Sequence, residues 1–367
     1  MRRPGAGWLT RLIADPGFQR RAARWPLLRR LARRDGAQLF DIVQGFVRSQ
    51  ALLALVELDL PERLLAGPAP VAQLALESGL SPERMALLIR AGVALGLLRQ
   101  RRDGCVTLTR QGAALAGVPG LQAMIRHHGA FYRDMGDPVA LLRGGAETEL
   151  AAFWPYVFGA EGAADPEVAA TYSEVMAQSQ RLVAGDTLAQ VDLRGARRLM
   201  DVGGGTGAFL EEAAAQAPGA QLVLFDLPAV VAGARDRFDR AGLSDRVEIV
   251  PGSFRDDPLP RGADVITLVR VLYDHADDTV AALLRAAFDA LEPGGRLVIS
   301  EPMSGGTRPD PQTDLYFAFY TLAMRTGRTR SAEEIGALCR AAGFDAIRAP
   351  RPRRAYVTAC VEAVKPA

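Results

Sequence analysis

The stretch LMDVGGGTG at residues 199–207 constrains the fold of this chain more than any other feature. It follows a strand-like apolar run and precedes a helical pattern, and glycines at such a junction let the main chain turn sharply and approach a ligand. From residue 197 onward, short apolar runs alternate with helical stretches. The predicted strands are RRLMDV, QLVLFDL, RVEIVPG, ADVITLV and GRLVISEP. This alternation predicts an α/β domain with a parallel, doubly wound sheet.

The 367 residues are enough for two domains. A helical pattern begins near residue 37 and ends in LLRQRRDGCVTLT, which predicts a hairpin with Asp103 and Gly104 in its turn. Ser81 is predicted to cap a helix that begins at Pro82. Three helices followed by a hairpin is the order of a winged-helix domain. The predicted division is a basic arm over 1–35, a winged-helix-like domain over 36–118, a helical linker and capping region over 119–190, and the α/β domain over 191–367.

Composition excludes several classes of protein. A hydrophobic content of 49% with 23% charged residues indicates a globular protein with a large core. Cys105, Cys339 and Cys360 fit neither a disulfide framework nor a zinc site, so we expect a reducing compartment and no metal. No apolar run reaches the ~18 residues needed to cross a bilayer. The expected location is therefore the cytoplasm.

The first 34 residues are strongly basic. They contain ten arginines and one acid, Asp15, and Trp25, Leu27 and Leu31 lie among the arginines. Such a segment can lie on an anionic membrane surface, which predicts peripheral contact with the inner membrane. An arm that clasps a second subunit, or a solvated arm, has the same composition. These alternatives stay open at this point.

Two ligands suit the glycine loop. Gly203, Gly205 and Ala208 nearly satisfy the dinucleotide fingerprint. S-adenosylmethionine (SAM) is the other, because Asp201 directly before the loop suits the ammonium group of a methionine moiety and would repel a pyrophosphate. Asp226, at the end of the next strand, can accept both ribose hydroxyls of either ligand. The Pro-Gly-Gly turn in LEPGGRLVISEP is common in SAM-dependent methyltransferases, so SAM is the predicted cofactor.

These residues resemble the second, caffeate O-methyltransferase-like family of SAM-dependent O-methyltransferases. The motifs are DVGGGTG, FDLP, PGSF, LVRVLYDHADD, PGGRLVISEP and GRTRSAEEIGALCRAAGF, and the resemblance covers residues about 37 to 362. DPGFQRRAARWPLLRRLARRDGAQLFDIVQGFVRSQ and YSEVMAQSQRLVAGDTL are most similar to the bacterial branch that methylates hydroxylated carotenoids of the demethylspheroidene or hydroxyneurosporene type. The resemblance implies a homodimer, joined through the winged-helix-like domain, that acts on a hydrophobic small molecule.

The resemblance also implies a set of SAM-binding residues. Gly203 falls on the glycine at the methionine end, and Asp226 falls on the ribose acid. Ser253 stands where the family usually has an acid near the adenine, and Val269 stands where plant members have a lysine. The predicted SAM site consists of Asp201, Gly203, Gly205, Gly207, Asp226, Leu227, Ser253, Phe254 and Arg270.

The catalytic position departs from the family motif. The family has roughly Leu-His-Asp-Trp after the fourth strand, with the histidine as general base, whereas residues 272–275 here are Leu-Tyr-Asp-His. An unperturbed tyrosine has a pKa near ~10, so it is a poor base but a good hydrogen-bond partner. We expect Tyr273 to orient a non-phenolic hydroxyl and to pass its proton to His275 or to water. The alternative for His275 is stacking near the adenine.

The acceptor pocket is predicted to be apolar. In DLYFAFYTLAMRTG, three large side chains share one helical face, and TYSEVMAQSQ places two more at four-residue spacing. The predicted substrate-binding residues are His127, His128, Tyr172, Met176, Phe317, Tyr320 and Met324. The alternative for such an aromatic stripe is ordinary core. Ser331 and Glu334 are predicted to form a capping box, which gives Glu334 a structural role.

Two further functions remain open on the sequence. The same methyl transfer could act on a phenolic or polyketide acceptor. The winged-helix order also suggests a DNA-binding regulator, but its candidate recognition helix, PERMALLIRAGVALGLLRQ, is apolar on most faces and offers few groups that could read base edges.

Overall fold

The computed structural model describes residues 7–145, 147–153, 177 and 179–367. The chain divides into two compact units, Met1–Gly117 and Val118–Ala367. The predicted linker region over 119–190 therefore groups with the α/β domain. Tyr172 and Met176 of the predicted acceptor pocket lie outside the described residues.

The first unit is mainly helical. Its elements are α1 Trp8–Ala14, α2 Pro16–Arg24, α3 Arg29–Val43, α4 Gly45–Glu57, α5 Leu60–Ala66, β1 Ala69–Pro70, α6 Val71–Glu77, α7 Pro82–Ala94, β2 Leu98–Gln100, β3 Cys105–Leu108 and α8 Arg110–Gly117. The Ser81 hydroxyl accepts the Arg84 amide at 3.4 Å, as expected of an N-cap. Leucines and other apolar side chains from α4 to β3 form its core.

The predicted hairpin is present in this unit. β2 and β3 pair antiparallel, and Gly104 has a φ of 82°, which suits a glycine in the turn. The Asp103 carboxylate accepts the Cys105 amide at 3.0 Å and fixes the turn. β1 adds a third, two-residue strand against β3. The helices and the hairpin together reproduce the winged-helix order.

The second unit begins with helices and continues as the predicted alternation of strands and helices. The elements are α9 Leu121–Asp134, α10 Pro138–Leu142, α11 Glu149–Phe153, α12 179–188, β4 Arg198–Val202, α13 Ala208–Ala213, β5 Gln221–Asp226, α14 Ala234–Arg240, β6 Val247–Pro251, β7 Ala263–Val269, α15 Asp277–Ala290, β8 Leu291–Glu301, α16 Ala318–Ala323, α17 Ala332–Ala342, β9 Asp345–Arg348 and β10 Ala359–Val364. All five predicted strands are present, as β4 to β8.

The sheet has seven strands in the order β6-β5-β4-β7-β8-β10-β9. β4 to β8 are parallel, but β10 pairs antiparallel with both β8 and β9. The prediction of a purely parallel sheet was therefore wrong at this edge. The sequence from 345 to 364 forms an antiparallel pair and contains no crossover helix, which a parallel connection would need.

Alternating side chains of the central strands pack on both faces of this sheet. In β5, Val223 and Phe225 enter one buried cluster, whereas Leu222 and Leu224 enter the other. Helices cover both faces, which is why these strands are apolar throughout. The loops at the carboxyl ends of β4, β5, β6 and β7 are thereby held on a rigid scaffold, and they carry the candidate site.

None of the helices that the structure describes is long and apolar enough by itself to cross a membrane. α3 and α4, which meet at an angle of 49°, pass the same test of length and composition only as a pair.

Candidate active site

The glycine loop connects β4 to α13 and forms one wall of an open cavity of about 950 Å³. Gly203, Gly205 and Gly207 have φ angles of 71°, 63° and 83°, a region that disfavours other residues. A Cβ on Gly203 would lie 2.9 Å from a Val271 methyl. The bare main chain therefore keeps this wall open. Gly207 is outside the cavity wall and packs against Phe238, so its predicted role in binding is replaced by a role in packing.

Asp226 lies where the predicted ribose acid should be. It lines the cavity, and its two carboxylate oxygens accept the Gly205 and Leu227 amides, each at 2.7 Å. Burial raises its pKa to about 6, while the two amides oppose that rise. Each carboxylate oxygen keeps a second acceptor site. Asp226 can therefore accept two neighbouring hydroxyl groups while it fixes the loop.

Asp201 is placed differently from the prediction. The residue is 1% exposed and does not line the cavity. The Thr267 hydroxyl donates to one of its carboxylate oxygens at 2.5 Å, and the other carboxylate oxygen has no partner among the described residues. A Cβ on Gly204 would lie 2.5 Å from that second oxygen. Asp201 therefore packs under the glycine loop instead of facing the ligand, and burial raises its pKa to about 7.

The far end of the cavity is formed by residues 252–255 and by His275. The ring of Phe254 meets the His275 ring edge-on, with 5.2 Å between centroids. The Ser253 hydroxyl donates to Asp256 at 2.8 Å. Ser253 stands at the position where the family usually has an acid. This hydrogen bond joins its uncharged side chain to a nearby carboxylate.

His275 does not have the environment of a base. Its Nδ1 lies 3.1 Å from the Arg255 guanidinium, which can only donate, so Nδ1 accepts and the proton of the neutral ring is on Nε2. Burial, with the charges of Arg255 and Arg330, lowers its pKa to about 3. These contacts argue against the predicted proton relay through His275. They favour the alternative, a neutral ring near the adenine.

Tyr273 is buried beside the cavity instead of lining it. Its amide donates to Glu301 at 3.1 Å, and its ring packs edge-on against Phe317 at 6.2 Å. Burial and the Asp274 carboxylate raise the pKa of the phenol above its usual range. Tyr273 therefore keeps its proton and can act through hydrogen bonds only.

Arg270 adopts a strained conformation at the end of β7. Its φ of 60° is unusual for a residue with a side chain. Its amide donates to Ser300 at 2.8 Å, and its guanidinium donates to Ser179 of α12 at 2.8 Å. The left-handed turn directs the following residues, 271–275, along the cavity. Arg270 and Val269 both line the cavity, as predicted for Arg270.

Arg330 fixes this loop from behind and was missed in the sequence. It is fully buried and donates to the Leu272 and His275 carbonyls at 2.8 and 2.9 Å, and to Asp277 at 2.6 Å. Gly327 approaches equally closely, since a Cβ there would lie 2.1 Å from the Tyr273 carbonyl. The signal was present in GRTRSAEE, which we assigned to helix capping alone. That capping box, between Ser331 and Glu334, is also present.

The predicted acceptor residues meet in an aromatic cluster. His127 and His128 of α9 are hydrogen-bonded to the hydroxyls of Tyr320 and Tyr316 at 2.8 and 2.5 Å. Burial lowers the pKa of both histidines, to about 4 for His127. Tyr316 and Phe317 belong to a π-helical turn, Gln312–Phe317, that precedes α16. A π-helical turn has a longer period than an α-helix. It brings Tyr316 into the cluster, although a period of 3.6 residues did not place Tyr316 on the predicted face.

Part of the predicted stripe is ordinary core. Tyr320 and Met324 are 6% and 3% exposed and pack in a buried cluster with Phe131, Leu141 and Leu150. Phe317 contacts both Tyr316 and Tyr273, so it connects this cluster to the loop that follows β7. The chain therefore places Phe317 next to the candidate catalytic loop and uses Tyr320 and Met324 mainly for packing.

Two family models match the chain. The O-methyltransferase domain matches residues 132–345, and the O-methyltransferase dimerisation domain matches residues 40–117. The chain belongs to this family. The predicted fold and enzyme class are confirmed, and the winged-helix-like unit is a dimerisation domain, which supports a homodimer and not a DNA-binding regulator.

Curated relatives extend over almost the whole chain. The demethylspheroidene O-methyltransferase of Cereibacter sphaeroides is 56% identical over 97% of this chain and 94% of its own length. The enzyme of the same name from Rhodobacter capsulatus is 52% identical over 98% of this chain and 90% of its own length. Acetylserotonin O-methyltransferase of Mus musculus is 34% identical over 88% of this chain and 87% of its own length.

A solved structure in the same family contains the predicted cofactor. Human N-acetylserotonin methyltransferase in complex with SAM has a TM-score of 0.78 and 26% identity, over 91% of this chain and 98% of that one. The family is SAM-dependent, and SAM as the cofactor of this O-methyltransferase is confirmed. The residues present fit SAM, because the open glycine wall and the two free acceptor sites of Asp226 suit a nucleoside with a ribose diol. Among the described residues, no group of three metal-ligating side chains occurs.

Proposed function

We propose that this O-methyltransferase transfers the methyl group of SAM to a hydroxyl of a hydroxylated carotenoid of the demethylspheroidene type. The relatives that are 52% and 56% identical over nearly the full chain carry that name, and this similarity carries the proposal. The relative named for acetylserotonin is far less similar, at 34% identity. The apolar surroundings of the site, with Phe317 against Tyr273, suit a hydrocarbon acceptor.

The site residues assigned to this reaction are proposals as well. Gly203, Asp226, Leu227, Ser253 and Phe254 would bind SAM along the cavity, with Asp226 on the ribose. Bound SAM supplies an electrophilic methyl group on a cationic sulfonium. The chain supplies alignment, because the loop after β7 is fixed from both sides and little motion of the acceptor would remain.

Turnover of two acceptors tests the substrate. The purified enzyme is incubated with SAM and either demethylspheroidene or N-acetylserotonin, and products are identified by mass spectrometry. We expect one added methyl group on the carotenoid and a kcat/KM at least about 100-fold lower for N-acetylserotonin. Equal or preferred methylation of the phenol would contradict the proposed acceptor and favour the phenolic alternative.

We further propose that the enzyme is cytoplasmic and contacts the inner membrane through its first helices. Trp8 is 77% exposed, and Trp25 and Leu27 are 57% and 80% exposed. The arginines of α2 and α3 lie among these side chains, which together suit an interfacial helix on anionic lipid. A hydrocarbon acceptor would be dissolved in the same bilayer.

Vesicle flotation tests the membrane contact. We expect the enzyme to float with vesicles that contain anionic phosphatidylglycerol and to stay behind with neutral phosphatidylcholine alone. Replacing Trp8 and Trp25 by Ala should abolish flotation, while Leu76→Ala, at an equally exposed position in the same unit, should not. Full flotation of the double variant, or none of the wild type, would contradict the proposal.

A further inference from the structure

Large apolar side chains are exposed where α3 ends and α4 begins. They form what we call the α3–α4 face, and their exposed fractions run from 53% to 77%: Leu39, Phe40, Ile42, Val43, Phe46 and Val47. From Leu39 to Phe46 these side chains follow the i, i+3, i+4, i+7 spacing of a helical face that packs on a neighbour. The hydrogen bonds continue through the bend between the two helices, since the Gln44 amide donates to the Phe40 carbonyl at 2.9 Å and the Arg48 amide donates to the Gln44 carbonyl at 3.1 Å. The face therefore has the pattern of a core helix but is open to solvent.

α3 has too few contacts of its own to explain its stability. It lies entirely within the described residues and is a 15-residue helix with no buried residue. A single helix of that length is marginal in water, and helices in proteins are stabilised mainly by packing of an apolar face. α4 differs, because Leu55 and Val56 near its end are buried in the core of the first unit. The α3–α4 face is thus anchored through α4, and it needs a surface that the described part of the chain does not provide.

The charge of the α3–α4 face separates it from the basic arm. Eight arginines lie between residues 8 and 34, whereas Asp41 is the one charged residue between 36 and 47. Asp41 lies 3.7 Å from the Arg48 guanidinium, which offsets its charge. A surface without its own cations is not attracted to anionic lipid headgroups. An apolar surface with little charge suits the centre of a protein interface.

We propose that a second copy of this chain covers the α3–α4 face, which forms the centre of the homodimer interface. The dimerisation-domain match begins at residue 40, within the face, and leaves the arginine-rich arm outside. In a dimer with two-fold symmetry, both protomers contribute the same apolar side chains, so one self-complementary face is sufficient. Contiguous exposed apolar patches larger than a few hundred Å² are rare on monomeric proteins and mark interaction sites. This interface would form whichever hydroxyl the enzyme methylates.

Analytical ultracentrifugation of the full chain tests the interface. We expect the wild type to sediment with the mass of two chains. The double variant Ile42→Asp with Phe46→Asp should raise the Kd of the dimer at least about 100-fold, because each carboxylate occurs twice and would lie in a covered apolar surface. The matched control Leu76→Asp makes the same kind of change on α6, at a residue that is 83% exposed, and should leave the dimer intact. Far-UV circular dichroism checks that both variants are folded.

Hydroxyl-radical footprinting of the wild type, without lipid, gives a second measurement that needs no variant. Within one chain, Phe40 and Phe46 are 63% and 70% exposed, and Trp25 of the arm is 57% exposed. We expect both phenylalanines to be oxidised at least about fivefold more slowly than Trp25, each rate normalised to the unfolded chain, because the centre of an interface excludes solvent as a protein interior does.

Four outcomes would overturn the assignment of this face. The first is a monomeric wild type, and the second is a folded double variant that dimerises as tightly as the wild type. The third is oxidation of Phe40 and Phe46 as fast as that of Trp25. The fourth is a double variant that stays dimeric but no longer floats with phosphatidylglycerol vesicles, which would assign the α3–α4 face to lipid.

Discussion

The two sides of the candidate site are built in different ways. On the SAM side, main-chain amides of a local motif are paired with one carboxylate, as when the Gly205 amide donates to Asp226 at the end of the neighbouring strand, 21 residues later. On the acceptor side, side chains meet across the chain, as His128 and Tyr316 do over 188 residues. Main-chain contacts of a fixed motif specify a ligand that many enzymes share. Side-chain contacts between distant segments can change from one enzyme to the next, and they therefore carry substrate preference.

The largest effect should come from Arg330, which fixes the loop after β7 from behind. Arg330→Met removes the buried donor of the Leu272 and His275 carbonyls and of Asp277. We expect the free energy of unfolding to fall by about 2–6 kcal/mol, because the Leu272 and His275 carbonyls lose a buried donor and an unsatisfied buried acceptor costs about 1–3 kcal/mol. Chemical denaturation measures this change.

Arg328→Met is the matched control, because Arg328 pairs with the same Asp277 at the surface. Exposed pairs contribute about 0–1 kcal/mol, so this variant should be nearly as stable as the wild type. Equal losses for the two arginines would show that the loop after β7 does not depend on the buried contacts.

On the SAM side, a single methyl group added to the glycine loop should weaken ligand binding. Gly203→Ala places a Cβ at a φ of 71° and 2.9 Å from Val271. We expect about a tenfold weaker binding of S-adenosylhomocysteine by calorimetry, since left-handed backbone costs about 1–2 kcal/mol for a residue with a side chain. Gly219→Ala, where the space is open and φ is ordinary, should bind as tightly as the wild type. Unchanged binding by Gly203→Ala would separate the loop from the SAM site.

The same division separates the parts of the site that could be predicted from the sequence from the parts that could not. The strand ends, the positive φ of the glycines and Asp226 depend on a local motif, so they could be predicted. Asp201, His275 and Tyr316 could not be placed, because burial under a loop, an Arg255 contact and a π-helical turn arise from tertiary packing. The antiparallel pair β9 and β10 was missed for a related reason: it lacks a crossover helix, and the alternation that predicted the rest of the sheet ends before it.

The acceptor side should show a smaller effect that depends on pH. His127 has a pKa lowered to about 4, so between there and its unfolded value near 6.5 the unfolded state binds more protons than the folded state. Its contribution to stability is complete above about pH 6.5 and is lost as the pH falls. When the pH is lowered from 7 to 5.5, the free energy of unfolding should fall by about 1 kcal/mol less in His127→Gln than in the wild type. Urea denaturation at both pH values measures this difference. Identical pH dependences would mean that His127 is solvated.

The smallest effect should be that of His275. If it is a neutral ring near the adenine, His275→Gln keeps an acceptor for Arg255 and loses only ring contacts with Phe254. We expect S-adenosylhomocysteine binding about threefold weaker and kcat within twofold of the wild type. A kcat lowered a hundredfold with binding unchanged would restore His275 as the base.

The left-handed conformation of Arg270 implies a conflict between folding and activity at one position. Glycine would adopt the same φ with less strain, so Arg270→Gly should relieve a local penalty of about 1 kcal/mol. The same change would remove the guanidinium that donates to Ser179. The wild-type backbone is thus less stable than it could be at the residue where the loop after β7 begins, and selection for thermostability alone would favour loss of the arginine that joins this loop to α12.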